Sequence, residues 1–163
     1  MEAGFKKLID RLTQHKVDYV LVGGYAAMMQ GSSLMTQDVD VACRMTSENL
    51  LKLHAALEDL HPCHRMSPQK PPFTKEEAAK SDWKNIYLKT DWAPLDCLGE
   101  IKGIGDFDAC FQLSQILNLG DFTVRILTLD ALLTAKKSLD RPKDRHAVLE
   151  LEVIREKLRH KGA

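Results

Sequence analysis

The sequence predicts a mixed α/β (α+β) fold, a mixed β-sheet with flanking helices and a short C-terminal helical segment. Three observations carry this expectation. Six stretches with helical spacing of apolar residues interleave with five short strand-like runs, in the order α–β–α–β–α–β–β–α–β–α–α. Two strand-like runs stand next to each other in the middle, which implies a hairpin and hence an antiparallel pair in the sheet. Two helical patterns follow one another at the end, with no strand between them.

Residues 3–15 place Phe5, Leu8, Ile9 and Leu12 at helical spacing. The run "VDYVLVGG" (17–24) is apolar and β-branched and ends in glycines, so it reads as a buried strand followed by a turn. "YAAMMQG" is expected to be a short helix stopped by Gly31. "QDVDVAC" (37–43) alternates, with Asp38, Asp40 and Ala42 on one face and Val39, Val41 and Cys43 on the other, as a strand requires. "TSENLLKLHAALEDL" is a helix with Thr46 or Ser47 as cap and Leu50, Leu53, Leu57 and Leu60 as its apolar stripe. Residues 61–80, rich in Pro, Lys and Ser, are expected to form a mobile loop. "WKNIYLKT" and "APLDCLG" are two strands joined at Thr90–Asp91. "FDACFQLSQIL" reads as a helix, and Asn118–Leu119–Gly120 turns into the strand "DFTVRIL". "TLDALLTAKKSL" is a helix capped by Thr128, and a last helix begins near Pro142. A single domain over 1–163 is expected, with an αβ core at 1–127 and C-terminal helices at 128–163.

Composition narrows the function classes. The apolar fraction is 44%, which excludes a disordered chain. Lys and Arg number 23, as do Asp and Glu, so no net field draws the protein to nucleic acid. No apolar run approaches a membrane span, and the N-terminus lacks a secretory core, so a cytoplasmic protein with no membrane partner is expected. Cys43, Cys63, Cys97 and Cys110 are spread through apolar contexts and read as reduced, buried thiols. The cluster His61, Cys63 and His64 lacks a second ligand pair for structural zinc, so a plain loop is expected there.

The chemistry concentrates between Leu21 and Arg44. Asp38 and Asp40 share a strand face, with Cβ atoms about 6–7 Å apart from the rise per residue. Two carboxylates inside an apolar strand repel each other and are costly to bury. A divalent cation removes that cost, and Mg²⁺ held by one or two carboxylates completes its shell with water and substrate phosphates. Gly23–Gly24 ends the preceding strand and opens a helix, which offers bare backbone N–H groups to a phosphate. Either feature alone is weak, because an isolated D-x-D or a GG turn is common. Asp96, in the apolar run "PLDCLG", is the candidate third carboxylate if its strand lies beside the D-x-D strand. Two metal ions under three carboxylates suit in-line attack on phosphorus, with Asp96 orienting or deprotonating the attacking hydroxyl.

The segment "YVLVGGYAAMMQGSSLMTQDVDVACR" resembles the signature of the minimal nucleotidyltransferases of the DNA polymerase β-like superfamily, and most nearly their AbiEii-like group, known from abortive infection and type IV toxin–antitoxin systems. The matching positions are Gly23, Gly24, Gly31, Thr36, Asp38 and Asp40, then Asp96 in "PLDCLGEI". The likeness continues through "ILTLDALLTAKKSLDRPKDRHAVLEL", where Lys136 or Lys137, then Arg141, Lys143 and Asp144, match the helical segment. It covers roughly residues 17–155. It implies Asp38, Asp40 and Asp96 as catalytic and metal-binding residues, with Mg²⁺ or Mn²⁺ as cofactor. It also implies an NTP substrate held by Gly23, Gly24, Thr36, Lys136, Lys137, Arg141 and Lys143.

Two positions depart from the pattern. Many relatives carry a serine where this chain has Gly24, and relatives of the GG type often carry an arginine where it has Leu34. The expected activity is transfer of an NMP from an NTP to an acceptor hydroxyl with release of pyrophosphate. The acceptor is left open between tRNA, a protein and a small molecule, and a cognate antitoxin is a further candidate partner. The alternative is a non-catalytic nucleotide- or partner-binding protein on the same fold. A nuclease or phosphatase ranks below both, because no histidine stands near these carboxylates in sequence. Arg145 belongs to the same cationic stretch, Tyr25 is expected to pack, and Trp83 and Trp92 are expected at the core or rim of the central hairpin.

Overall fold

The structure is a computed structural model that describes residues 2–80 and 82–162. The first half runs α1 (Glu2–Gln14), β1 (Tyr19–Val22), α2 (Gly23–Met29), β2 (Val39–Cys43) and α3 (Ser47–Leu57), followed by a 3₁₀ turn at Glu58–Leu60. Then come β3 (Cys63–His64), α4 (Lys75–Ala78), β4 (Asn85–Lys89), β5 (Pro94–Leu98), β6 (Glu100–Ile101), β7 (Gly105–Asp106) and α5 (Phe107–Gln112). The last elements are β8 (Ser114–Asn118), β9 (Thr123–Leu127), α6 (Leu129–Leu139) and α7 (Pro142–Gly162). Seven strands form one sheet in the order β3-β4-β5-β2-β1-β9-β8. β2 runs parallel to β5 and β1 parallel to β9, and the other neighbours are antiparallel, so the sheet is mixed. Among the described residues no helix is long and apolar enough to cross a membrane.

The core follows from the periodicities. α1 buries Phe5, Leu8, Ile9 and Leu12, and α3 buries Leu50, Leu53 and Leu57, each side chain contributing about 1.5–3 kcal/mol. Leu60 of the 3₁₀ turn continues the α3 stripe. Thr46 caps α3 by accepting from the Asn49 backbone N–H. The buried Asn49 side chain then donates to the Asp18 and Arg44 carbonyls (3.1 and 2.8 Å), which ties α3 to the ends of β1 and β2. Thr128 caps α6 through the Ala131 N–H, and Asp140, in the left-handed region at φ 49°, ends it. Pro142 opens α7, where a missing N–H costs nothing. Tyr25 is buried edge-on against Phe5, and Trp83 and Trp92 pack half-buried at the core margin. Cys43, Cys97 and Cys110 are buried free thiols, whereas Cys63 is only half-buried.

Two segments depart from expectation. Residues 61–80 are not one long loop. Cys63 and His64 pair with Lys89 and Leu88 of β4, and Thr74 with Glu77 forms a reciprocal capping box on α4. The helix expected over "FDACFQLSQIL" stops at Gln112. Ser114–Asn118 instead pairs in full with Thr123–Leu127, because the short turn beyond Asn118 lets that stretch fold back as a hairpin on the sheet edge. The zinc-like cluster is dispersed among other partners, with His61 bonded to Asp91 (2.7 Å) and His64 to Glu77 (2.8 Å).

Candidate functional site

Sheet order decides the site. β2 lies between β1 and β5, and the register sets Asp40 opposite Val22 on one side and Asp96 on the other. Asp38 precedes β2 by one residue on the same face as Asp40. Each of Asp38, Asp40 and Asp96 offers a carboxylate oxygen within 4.8 Å of those of the other two. Among the described residues this is the one grouping of three metal-ligating side chains that close. All-oxygen donors on rigid strands fit a hard divalent cation such as Mg²⁺ or Mn²⁺.

The electrostatics record what it costs to hold them together. Burial, and then the charges of Asp38 and Asp96, push Asp40 up to about 7 from its ordinary value of 3.8. Lys136 offsets part of that rise. Burial also raises Asp96, against the pull of a guanidinium that the sequence reading missed. Arg65, just past β3, donates to Asp96 through Nε (3.0 Å to Oδ1) and Nη2 (2.7 Å to Oδ1 and 2.5 Å to Oδ2). The same Nη2 lies 3.5 Å from Asp38 Oδ2. No local sequence signal marks Arg65, since its partner is 31 residues away. The T-x-x-E spacing of Thr74 and Glu77, a capping-box pattern passed over in the expectation of a loop, is a sequence sign of order nearby.

The glycines are there for space. A Cβ on Gly23 would collide with the Asp40 carboxylate, and Gly23 has φ +71°, a conformation that also favours glycine. A Cβ on Gly24 would lie 2.9 Å from both Cβ and Oγ1 of Thr36. The serine expected at position 24 therefore has no room while Thr36 keeps its place. Thr36 Oγ1 in turn donates to the Asp38 carbonyl (3.3 Å), so Gly24, Thr36 and Asp38 form one packed unit. The 30–38 loop is held from α7, where Glu150 accepts from Ser32 Oγ (2.5 Å), Ser33 N (2.9 Å) and Ser33 Oγ (2.5 Å). These bonds hold Glu150 below its ordinary value. Leu34 lines the cleft beside this loop without offering a charge.

Two clefts meet at the acidic cluster and share Asp40, Lys136 and Arg141. One, of about 240 Å³, adds Gly24, Thr36, Asp38 and Lys143. The other, of about 340 Å³, adds Gly23, Tyr87 and an apolar wall that includes Leu98, Ile101 and Leu132. The cations are fixed by Asp144 on α7, whose side chain is 1% exposed. It accepts from Arg141 (2.5 Å) and lies 3.6 Å from Lys136. Burial alone raises Asp144, yet Arg141, Lys136 and Lys143 hold it below the ordinary carboxylate value. Lys137 points elsewhere. It pairs with Glu152 (3.0 Å) and borders a separate groove with Asp140 and Arg145. Of the residues expected at the site, Lys137 alone is not brought to these clefts or to the carboxylates.

No family model matches the chain, and no curated protein does. Solved structures do. The lincosamide antibiotic adenylyltransferase LnuA, in its lincomycin-bound crystal structure, superposes with a TM-score of 0.62 at 17% identity, covering 94% of this chain and 98% of LnuA. A candidate nucleotidyltransferase of Thermotoga maritima, TM1012, superposes with a TM-score of 0.52, also at 17% identity, covering 96% of this chain and 91% of its own. The mixed sheet, its flanking helices and this structural likeness together give the chain the nucleotidyltransferase fold.

Proposed function

We propose that the protein is a metal-dependent nucleotidyltransferase that moves an NMP from an NTP to an acceptor hydroxyl. The observation that carries this is the convergence of Asp38, Asp40 and Asp96 beside the glycine turn, on the fold that LnuA shares. In the reaction the acceptor oxygen bonds to the α-phosphorus, the bond to the bridging oxygen of pyrophosphate breaks, and the hydroxyl proton passes to a carboxylate. Asp38, Asp40 and Asp96 would hold Mg²⁺ or Mn²⁺, which when bound neutralises phosphate charge and lowers the pKa of a coordinated hydroxyl.

The chain's own residues divide the remaining work. Gly23 and Gly24 give the nucleotide close access to backbone beside Asp40 and Thr36. Lys136, Arg141 and Lys143 line the smaller cleft and suit a triphosphate, with Asp144 orienting the first two. Asp96 orients the acceptor hydroxyl and accepts its proton. The apolar wall of the larger cleft supports a compact acceptor group or a nucleobase, whereas the balanced net charge gives no support to a broad RNA footprint. The T-x-D-x-D and glycine pattern supports kinship with the AbiEii-like group, and a cognate antitoxin is a partner under that kinship alone. Labelled NTPs with Mg²⁺, offered tRNA, protein and small-molecule acceptors, test the proposal: label is expected on one class of acceptor, and no transfer to any class contradicts it.

One observation favours a second reading, a non-catalytic partner-binding protein on the same fold. Gly24 and Leu34 withhold two polar groups from the phosphate side, and Thr36 fills the space a serine would need. Calorimetry with Mg²⁺ and each NTP separates the two readings, because tight metal-dependent NTP binding counts against the second.

A further inference from the structure

We infer that Arg65 stands in for a second divalent cation, so that this site works with one bound ion rather than two. The inference rests on the nucleotidyl-transfer reading above and specifies how many ions that reading requires.

The Arg65 Nη2 sits between two carboxylates that would share an ion, 2.5 Å from Asp96 Oδ2 and 3.5 Å from Asp38 Oδ2. Nε and Nη2 together engage Asp96 as a fork, and a guanidinium stays charged at every working pH. Arg65 is also held rigidly. The Arg65 backbone N–H donates to the Tyr87 carbonyl (3.1 Å), and Lys70 Nζ donates to the Arg65 carbonyl (3.2 Å). The guanidinium carbon lies 5.7 Å from the centre of the Tyr87 ring, and Tyr87 is the cross-strand neighbour of Asp96. Backbone, ring and carboxylate thus fix the cation from three directions, which is the preorganisation a charge-stabilising group needs.

The charges also balance without a second ion. One divalent ion and one guanidinium together balance three carboxylates. A second ion would have to enter beside Arg65, whose fixed positive charge lies between Asp96 and Asp38 and repels it. The triphosphate gains nothing essential from it, since Lys136, Arg141 and Lys143 already line the adjacent cleft. On this arrangement Arg65 positions Asp96 and adds fixed positive charge next to the transferring phosphoryl group, work that a second metal performs in two-metal sites.

The test counts ions. Wild-type protein is saturated with Mn²⁺ and a non-hydrolysable ATP analogue, freed of unbound Mn²⁺–nucleotide, and assayed for retained Mn²⁺ and for Mn–Mn spin coupling by EPR. The expected result is one Mn²⁺ per chain without coupling. Arg65→Ala, and the near-isosteric Arg65→Met should the first fail to fold, are expected to retain two coupled ions. Arg65→Lys is expected to retain one. Two coupled ions in the wild type overturn the inference while leaving nucleotidyl transfer intact. An unchanged count of one in Arg65→Ala or Arg65→Met makes Arg65 a merely structural partner of Asp96 and overturns it as well. No retained Mn²⁺ in the wild type contradicts the transfer reading itself.

Discussion

The two ends of β2 hold charge in opposite ways. At its C-terminal end Arg44 is bonded to Asp18 and Asp108, both at 2.9 Å, and its guanidinium lies over the Phe107 ring at 4.6 Å. Those partners are 48% and 68% exposed, so water shares the cost of keeping them together. At the N-terminal end three carboxylates meet, Asp96 is buried, and Asp40 is driven to about 7. A cleft of about 530 Å³, larger than either cleft at the acidic cluster, lies at the compensated end, where Arg44, Trp83, Lys84 and Asp108 line it. The acidic end borders smaller clefts. Volume alone would thus point to the opposite end from the one that charge selects. A cluster whose own charges are unsatisfied calls for a ligand, and a neutralised one does not.

Breaking the acidic end should give the largest effect. Asp38→Asn is expected to lower metal-dependent NMP transfer by about 10²–10³-fold or more, with the melting temperature kept or raised because a repulsion is removed. Transfer assays and a thermal melt on one preparation check both halves.

Next comes the support of the cations. Asp144→Asn removes the buried anchor of Arg141 and Lys136, so KM for the NTP should rise by about tenfold or more, with kcat changing less. A change confined to kcat would assign Asp144 to the chemistry rather than to triphosphate binding.

pH sharpens the contrast further. The folded state raises Asp40 from 3.8 to about 7, so over that window the folded chain keeps a proton the unfolded chain has released. The contribution of Asp40 to stability is therefore fully present below the lower value and is lost as pH rises through the upper one. Metal-free protein should melt at a progressively lower temperature between about pH 4 and about pH 7, and Mg²⁺ should restore the loss at higher pH. A melting temperature that rises across this window because of the acidic end would contradict the assignment; comparison with Asp40→Asn isolates the contribution.

The smallest effect belongs to the other end. Arg44→Ala should cost about 1 kcal/mol or less in chemical denaturation and leave transfer unchanged, since its ion pairs are exposed.

The legible parts of this molecule were those with a local cause. The alternation of "QDVDVAC" placed Asp38 and Asp40 on one face, and the stripes of α1 and α3 followed from spacing. Asp96 was legible as a charge in an apolar strand, but its position opposite Asp40 depends on β5 joining β2 in parallel, a non-local pairing. Ser114–Asn118 continued the helical pattern of α5 and was drawn into the sheet by its partner Thr123–Leu127. Between Cys63 and Ala78 a Pro- and Lys-rich composition concealed a two-residue strand and a single-turn helix. Both owe their existence to neighbours, β4 for the strand and the Thr74–Glu77 cap for the helix. Arg65 was invisible for the same reason, since nothing near it in sequence asks for a cation.

Calorimetric titration of Mn²⁺ into the wild type and into Asp40→Asn, with a non-hydrolysable NTP present, tests the acidic site most directly. The account predicts saturable binding by the wild type that Asp40→Asn loses while remaining folded. Equal binding by both proteins, or none by the wild type, would contradict it.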